Sequence, residues 1–170
     1  SLVLVTPDGE RTMNTHLGAT SGFSQEHVNL ELLENSNWLF IEGYLFASEL
    51  GQKAIATAIV AAKKSGVKVL VTLGDTFIPE VFTEEVKNAV ASADLVIANA
   101  KEIQALTKQD NEVKAFQALK NLCSNSVMTL SEKGAWVHWQ GEEIRVPSVP
   151  TTVVDATGAG DMFAGSFLYA

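Results

Sequence analysis

The stretch Val153–Gly165 reads V-V-D-A-T-G-A-G-D-M-F-A-G and concentrates the residues whose types and spacing could do chemistry. Val149, Val153 and Val154 read as a strand emptying into a small-residue turn, Gly158-Ala159-Gly160. Asp161 then opens a helix that continues through Phe163, Phe167 and Leu168. A helix start presents unpaired backbone N–H groups and a partial positive charge, so it is a ready anion site. Glycine allows unusual dihedrals and a close approach by a ligand. The same field holds an acidic residue in the first turn ionised. Anion donors beside a fixed carboxylate suit transfer of a phosphoryl group to a hydroxyl that faces Asp161.

Two other glycine-rich readings are excluded. No Lys-Ser or Lys-Thr follows a glycine at the spacing of the G-x-x-x-x-G-K-[ST] phosphate loop. A dinucleotide fingerprint needs G-x-G-x-x-G, and Phe163 stands where its third glycine would be. An isolated G-A-G is as well explained by close packing, with Asp161 as a dipole partner. The whole string D-A-T-G-A-G-D-x-F-x-x-G is far more specific. It resembles the C-terminal signature of the PfkB (ribokinase-like) family of sugar and nucleoside kinases, usually D-T-x-G-A-G-D-x-F-x-x-G. The resemblance implies that Asp161 is the catalytic base and that Gly158, Ala159 and Gly160 form the anion hole. Ala156 departs from the family's usual threonine, beside Asp155 and Thr157, the candidates for a monovalent-cation (K+) site.

Two upstream motifs occur in the family's order. The apolar run Asp94–Ala98 delivers Asn99-Ala100-Lys101-Glu102, which matches N-x-x-E. The match implies that Asn99 and Glu102 lie near Mg2+ and the nucleotide phosphates, with Glu102 reaching the metal through water. On the residues alone, Asn99 as N-cap with Glu102 at the third helical position is nearly a capping box. Ser126–Leu130 leads into Thr129-Leu130-Ser131-Glu132-Lys133-Gly134. This resembles the T-x-G-x-x-G nucleotide loop with Ser131 where glycine is usual, so Thr129, Ser131 and Gly134 are expected to border ATP. Lys133 is either a phosphate partner or a solvated turn residue. In the family a similar hairpin leads into the substrate pocket, which makes Asn14 a candidate substrate contact.

The elements that must position these residues alternate between strand and helix. Leu2–Val5 and Arg11–Leu17 flank Pro7-Asp8-Gly9-Glu10 as a hairpin. Ser24 and His27 start a short helix to Leu33. Trp38–Glu42 reads as a central buried strand, and Gly51–Ser65 as an amphipathic helix capped by Gly66. Val67–Leu73 is a buried strand ending at Asp75, a residue placed to cap the next segment or to meet a ligand. Pro79–Val90 and Glu112–Leu122 read as helices, and Ala135–Trp139 with Glu143–Val149 as a second hairpin. Buried strands separated by helices predict an α/β fold: three-layer, Rossmann-like, mostly parallel, with helices on both faces and added β-hairpins. The resemblance makes that fold ribokinase-like.

The 170 residues are one domain's worth of chain, 46% hydrophobic and 19% charged. A net charge of −8 argues against a nucleic-acid or membrane surface. The single Cys123 excludes an internal disulfide and fits a reducing cytoplasm. The three histidines are far apart, with no zinc spacing. The chain starts without Met in a strand-like run and stops inside the helix after Asp161. Residues 1–170 are therefore expected to be part of one larger kinase domain, lacking an N-terminal substrate or lid part and a C-terminal end. The expected activity is ATP-dependent phosphorylation of a primary hydroxyl on a sugar, with Mg2+, by a cytoplasmic homodimer. A nucleoside kinase, such as one for adenosine, is the second reading, and a non-catalytic sugar- or nucleotide-binding regulator the third.

Overall fold

The structure, a computed structural model, describes residues 2–6, 11–153 and 155–169. Strand β1 (Leu2–Val5) pairs antiparallel with β2 (Arg11–Asn14), Leu2 opposite Asn14, as a separate two-stranded sheet. The second strand stops at Asn14, short of the expected Leu17, and the expected turn at 7–10 lies outside the described residues.

The single helix expected from Ser24 to Leu33 is two pieces. Ser24 and His27 close a short 3-10 turn, the Ser24 N–H donating to His27 Nδ1 at 3.1 Å. The chain is extended at Val28, and Asn29 then caps α1 (Leu30–Glu34), its Oδ1 accepting the Leu32 N–H at 3.0 Å. A second local cap thus restarts the helix on its own axis.

Strand β3 (Trp38–Ile41) is followed by α2 (Glu49–Ser65). Ser48 Oγ caps α2 from the Gly51 N–H at 3.0 Å, and Gly66 ends it in the left-handed region at φ 74°. After β4 (Lys68–Thr72) the helix expected over Pro79–Val90 is broken into α3 (Phe77–Val81) and α4 (Thr83–Ser92). Phe82 leaves the helical region at φ −110°, ψ 43°, and the Thr83 hydroxyl donates to the Pro79 carbonyl at 2.7 Å. A side-chain donor there takes the acceptor that helix continuation needs. Then come β5 (Leu95–Asn99), α5 (Ala100–Thr107), α6 (Glu112–Leu122), β6 (Ser126–Thr129), β7 (Ala135–Trp139), β8 (Glu142–Val146) and α7 (Ala159–Tyr169).

Six strands form one sheet in the order β3-β4-β5-β6-β7-β8; β3 to β6 are parallel and the last two pairings antiparallel. Alternate residues serve two cores. Val69, Val71, Val96 and Met128 pack with Ile55, Val90, Ile103, Phe116 and Leu119 from the helices between the strands. Leu70, Leu95, Ile97 and Val127 pack instead with Ala164, Phe163 and Phe167 of α7. Helices on both faces of a mostly parallel sheet are the expected three-layer α/β class. Each of these fully buried aliphatic side chains contributes roughly 1.5–3 kcal/mol, which holds the ends of β4, β5 and β6 rigid.

Two strand expectations are corrected. β3 ends the described sheet rather than occupying its centre, because only β4 pairs with it among the described residues, and Phe40 is 43% exposed. No strand precedes the G-A-G turn among residues 147–153, where Val149 and Val153 are exposed. Pro147 and Pro150 have no N–H to give a ladder, so the apolar residues alone cannot make the strand.

Candidate active site

The carboxyl ends of the parallel strands point one way, and the start of α7 lies over them. A small cleft of about 100 Å³ results, lined by Thr72, Asn99, Glu102, Thr129, Gly160 and Asp161 among others. Residues from four separate stretches of chain meet there, at the edge where open α/β sheets hold ligands.

Asp161 is the third residue of α7. Gly158 immediately precedes the helix; its carbonyl accepts the Met162 N–H at 2.9 Å, and its φ of +75° suits only glycine without strain. The Ala159 N–H is engaged by the Ala156 carbonyl at 3.2 Å. No described carbonyl accepts from the amides of Gly160 or Asp161, so these two donors remain for an anion. Of the three residues expected as an anion hole, Gly160 lines the cleft, Gly158 shapes the turn, and Ala159 closes it.

Asn99 and Glu102 cap each other at the start of α5. Glu102 Oε2 accepts the Asn99 N–H at 3.0 Å, and Asn99 Oδ1 accepts the Glu102 N–H at 2.9 Å. Glu102 is only 7% exposed. Burial pushes its carboxyl up to about 7, with Asp75 and Glu42 adding to the rise and the Asn99 hydrogen bonds opposing it. A buried carboxylate with one oxygen committed to the cap and a costly charge fits a cation. Mg2+ is satisfied by one or two carboxylates and retained waters.

Two residues missed in the sequence complete the row. Glu42 follows β3; its Oε2 accepts the Tyr44 N–H at 3.1 Å, and burial, then the charge of Asp161, raises its carboxyl. Burial pushes the Tyr44 hydroxyl up, and the charges of Asp75, Glu42, Glu102 and Asp161 add to the rise. The Tyr44 ring lies 6.2 Å from that of Phe77, tilted by 44°. Glu42 comes directly after β3 and Asp75 three residues after β4, and a place just past the end of a parallel strand was the available signal. Asp75 does cap, its Oδ1 accepting the Phe77 N–H at 3.2 Å.

The loop after β6 frames the other end of the cleft. Thr129 lines it, and the Leu130 N–H donates to the Gly134 carbonyl at 2.8 Å to close the turn. Ser131 is held at φ +51° and Gly134 at φ +92°; any Cβ on Gly134 would overlap the Val146 carbonyl. Lys133 pairs with Glu112 at 3.3 Å. Asp155 Oδ1 accepts the Thr157 N–H at 2.8 Å and its hydroxyl at 2.6 Å, joining the two K+ candidates to each other. Asn14 is exposed on β2 and does not line the cleft.

Known proteins resemble the chain in sequence and in fold. The family described as pfkB family carbohydrate kinase matches residues 1–170. In structure the chain is similar to adenosine kinase from Sinorhizobium meliloti, with 36% identity, TM-score 0.92, and coverage of 98% of this chain and 52% of that one. A probable sugar kinase protein from Rhizobium etli CFN 42 is similar at 33% identity and TM-score 0.93, with the same coverage. A fructokinase double mutant from Vibrio cholerae O395, bound to fructose, ADP and potassium ion, is 25% identical with TM-score 0.80 over 98% of this chain and 56% of its own. The fold is ribokinase-like. The chain spans about half the length of these proteins, and 34% and 52% of the first two curated relatives it matches.

Proposed function

Because this chain belongs to the pfkB family of carbohydrate kinases, we propose that it phosphorylates a primary hydroxyl of a sugar with ATP as donor. One observation carries the reading: Asp161 and Gly160 share a cleft with Asn99, Glu102 and Thr129 at the ends of three parallel strands. Asp161 takes the proton of the acceptor hydroxyl as that oxygen attacks the γ-phosphorus. The free amides at the start of α7 hold the phosphoryl oxygens, where charge is greatest during transfer. Thr129, Ser131 and Gly134 border the nucleotide.

Asn99 and Glu102 are the residues to hold Mg2+, Glu102 through water. The ion's part, when bound, is to neutralise phosphate charge. Asp155 and Thr157 are the residues for K+. The buried thiol of Cys123 supports a cytoplasmic setting, and among the described residues no helix is long and apolar enough to cross a membrane. A homodimer is the proposed assembly, and the exposed apolar side chains of β1 support it.

A nucleoside acceptor is the second reading. The Tyr44–Phe77 ring pair beside the carboxylates favours it, since a flat base needs an apolar slot. The deciding experiment is ATP turnover by the full-length protein across a panel of sugars and nucleosides. Transfer to sugars is expected. Transfer to nucleosides alone selects the second reading, and absence of transfer to every acceptor leaves a binding regulator.

A further inference from the structure

The sheet face that carries α7 changes character at the carboxyl ends of its strands. Leu70, Leu95, Ile97 and Val127 on that face pack with Ala164, Phe163 and Phe167 of α7. Two residues beyond Leu70, Ile97 and Val127, the same face presents Thr72, Asn99 and Thr129, and all three line the cleft. Thr72 pairs with Ile97, and Asn99 with Thr129. Thr72 and Ile97 therefore form the floor, with Asn99 and Thr129 about 7 Å higher along the strands. Gly160 and Asp161 at the start of α7 close the cleft from the other side.

The Thr72 hydroxyl has no hydrogen-bond partner among the described residues. The hydroxyls of Thr83, Thr107 and Thr76, by contrast, donate to the Pro79 carbonyl, the Ile103 carbonyl and Asp75 Oδ1. Among the described residues, the fully enclosed side-chain polar atoms without a partner are Ser126 Oγ and His138 Nδ1. The Thr72 oxygen is not one of them, so it is reached from the cleft. A volume of about 100 Å³ holds about three waters at roughly 30 Å³ each. That is the size of a phosphoryl group and too small for a sugar or a base. No lysine or arginine lines this space. Ionised carboxylates only accept, so phosphoryl oxygens entering it need other donors. The amides of Gly160 and Asp161 serve from α7, and Thr72 serves from the floor.

We propose that the Thr72 hydroxyl donates a hydrogen bond to the phosphoryl group while it is in transfer, so that β4 supplies a catalytic residue. The inference rests on the kinase reading. In the step, the acceptor oxygen bonds to the γ-phosphorus as the bond to the β–γ bridging oxygen breaks. The bridging oxygen leaves with the electron pair as part of ADP. The acceptor's proton passes to Asp161, and Thr72 keeps its own. Strand β5 separates Thr72 from Thr129, so the two stand roughly 10 Å apart across two strand spacings. The nucleotide loop follows β6, and a nucleotide seated there meets Thr72 only as its phosphoryl group moves away. A contact made late lowers the barrier and leaves ATP binding alone.

The test is steady-state kinetics of the full-length protein with ATP and with ribose, fructose or adenosine as acceptor, beside a direct ATP-binding titration. Thr72→Val removes the hydroxyl and keeps the branched shape, and kcat is expected to fall about 10- to 100-fold. The KM and the affinity for ATP are expected to stay within about 2-fold of wild type. Thr72→Ser keeps a hydroxyl and is expected to recover most of the lost rate. Thr72→Ala repeats the deletion and decides the matter if Thr72→Val fails to fold. Three results overturn the inference while the kinase reading stands: wild-type kcat in Thr72→Val, an equal loss in Thr72→Ser, or a change confined to the KM for ATP. Transfer by the wild type to none of the acceptors overturns both.

Discussion

Asn99 and Glu102 each accept the other's backbone N–H, at 2.9 and 3.0 Å, so one side chain both caps α5 and faces the cleft. Structure and chemistry share the Glu102 carboxylate. Any change there has two readouts, and they separate.

The first prediction concerns metal and pH together. Burial raises the folded-state carboxyl of Glu102 from 4.5 to about 7. For a raised acid, the stabilising contribution is complete below the unfolded value and is lost as pH climbs through the folded one. The loss is about 3 kcal/mol between roughly pH 4.5 and 7. Glu102→Gln removes this dependence and preserves an acceptor for the Asn99 N–H. Its Tm is expected to gain on wild type as pH rises from about 5 to 8. It should also need more Mg2+ for half-maximal rate. A Tm difference flat with pH discards the buried-charge argument; an unaltered metal curve leaves Glu102 a cap alone.

Asp161→Asn is expected to lower kcat by roughly 10²–10⁴-fold, the range for a general base, with nucleotide affinity little changed. Steady-state kinetics with an independent ATP-binding titration checks this. Wild-type turnover would remove Asp161 from the mechanism.

Ser131 sits at φ +51°, a region that costs a non-glycine residue about 1–2 kcal/mol. Ser131→Gly relieves that cost and gives back part of it as backbone entropy in the unfolded chain. The net expectation is about 0.5–1 kcal/mol of stabilisation, or a Tm roughly 1–4 °C higher. A calorimetric scan showing a lower Tm would mean the serine hydroxyl matters more to the loop than its backbone does.

Gly134 has the opposite sensitivity. Its φ of +92° is one that side chains rarely adopt, and a Cβ would overlap the Val146 carbonyl and crowd Pro147. Gly134→Ala is expected to cost about 2–4 kcal/mol and to raise the KM for ATP by displacing the turn closed on Leu130. Denaturant unfolding and ATP kinetics check it, and wild-type values in both would disconnect this turn from the nucleotide.

The sequence by itself determined the α/β class, the end of α2 at Gly66, the Asn99–Glu102 cap and the helix at the G-A-G turn, while α2 starts two residues before the expected Gly51, where Ser48 caps it. Each is written in residues a few positions apart: a cap and the N–H it reaches, apolar residues at one period, a glycine where φ turns positive. Short-range competition misled the reading elsewhere, where Asn29 restarted a helix, Phe82 interrupted one, and two prolines denied a strand to Val149 and Val153. Only the tertiary structure decided that Glu42, Tyr44, Asp75, Glu102 and Asp161 form one group. Their chain positions span well over half the molecule, and the one local mark on Glu42 is its place just after an apolar strand. They meet because parallel pairing stacks β3, β4 and β5 with their carboxyl ends in line, and burial in two cores fixes that stack. The charge they share is a property of the packed sheet.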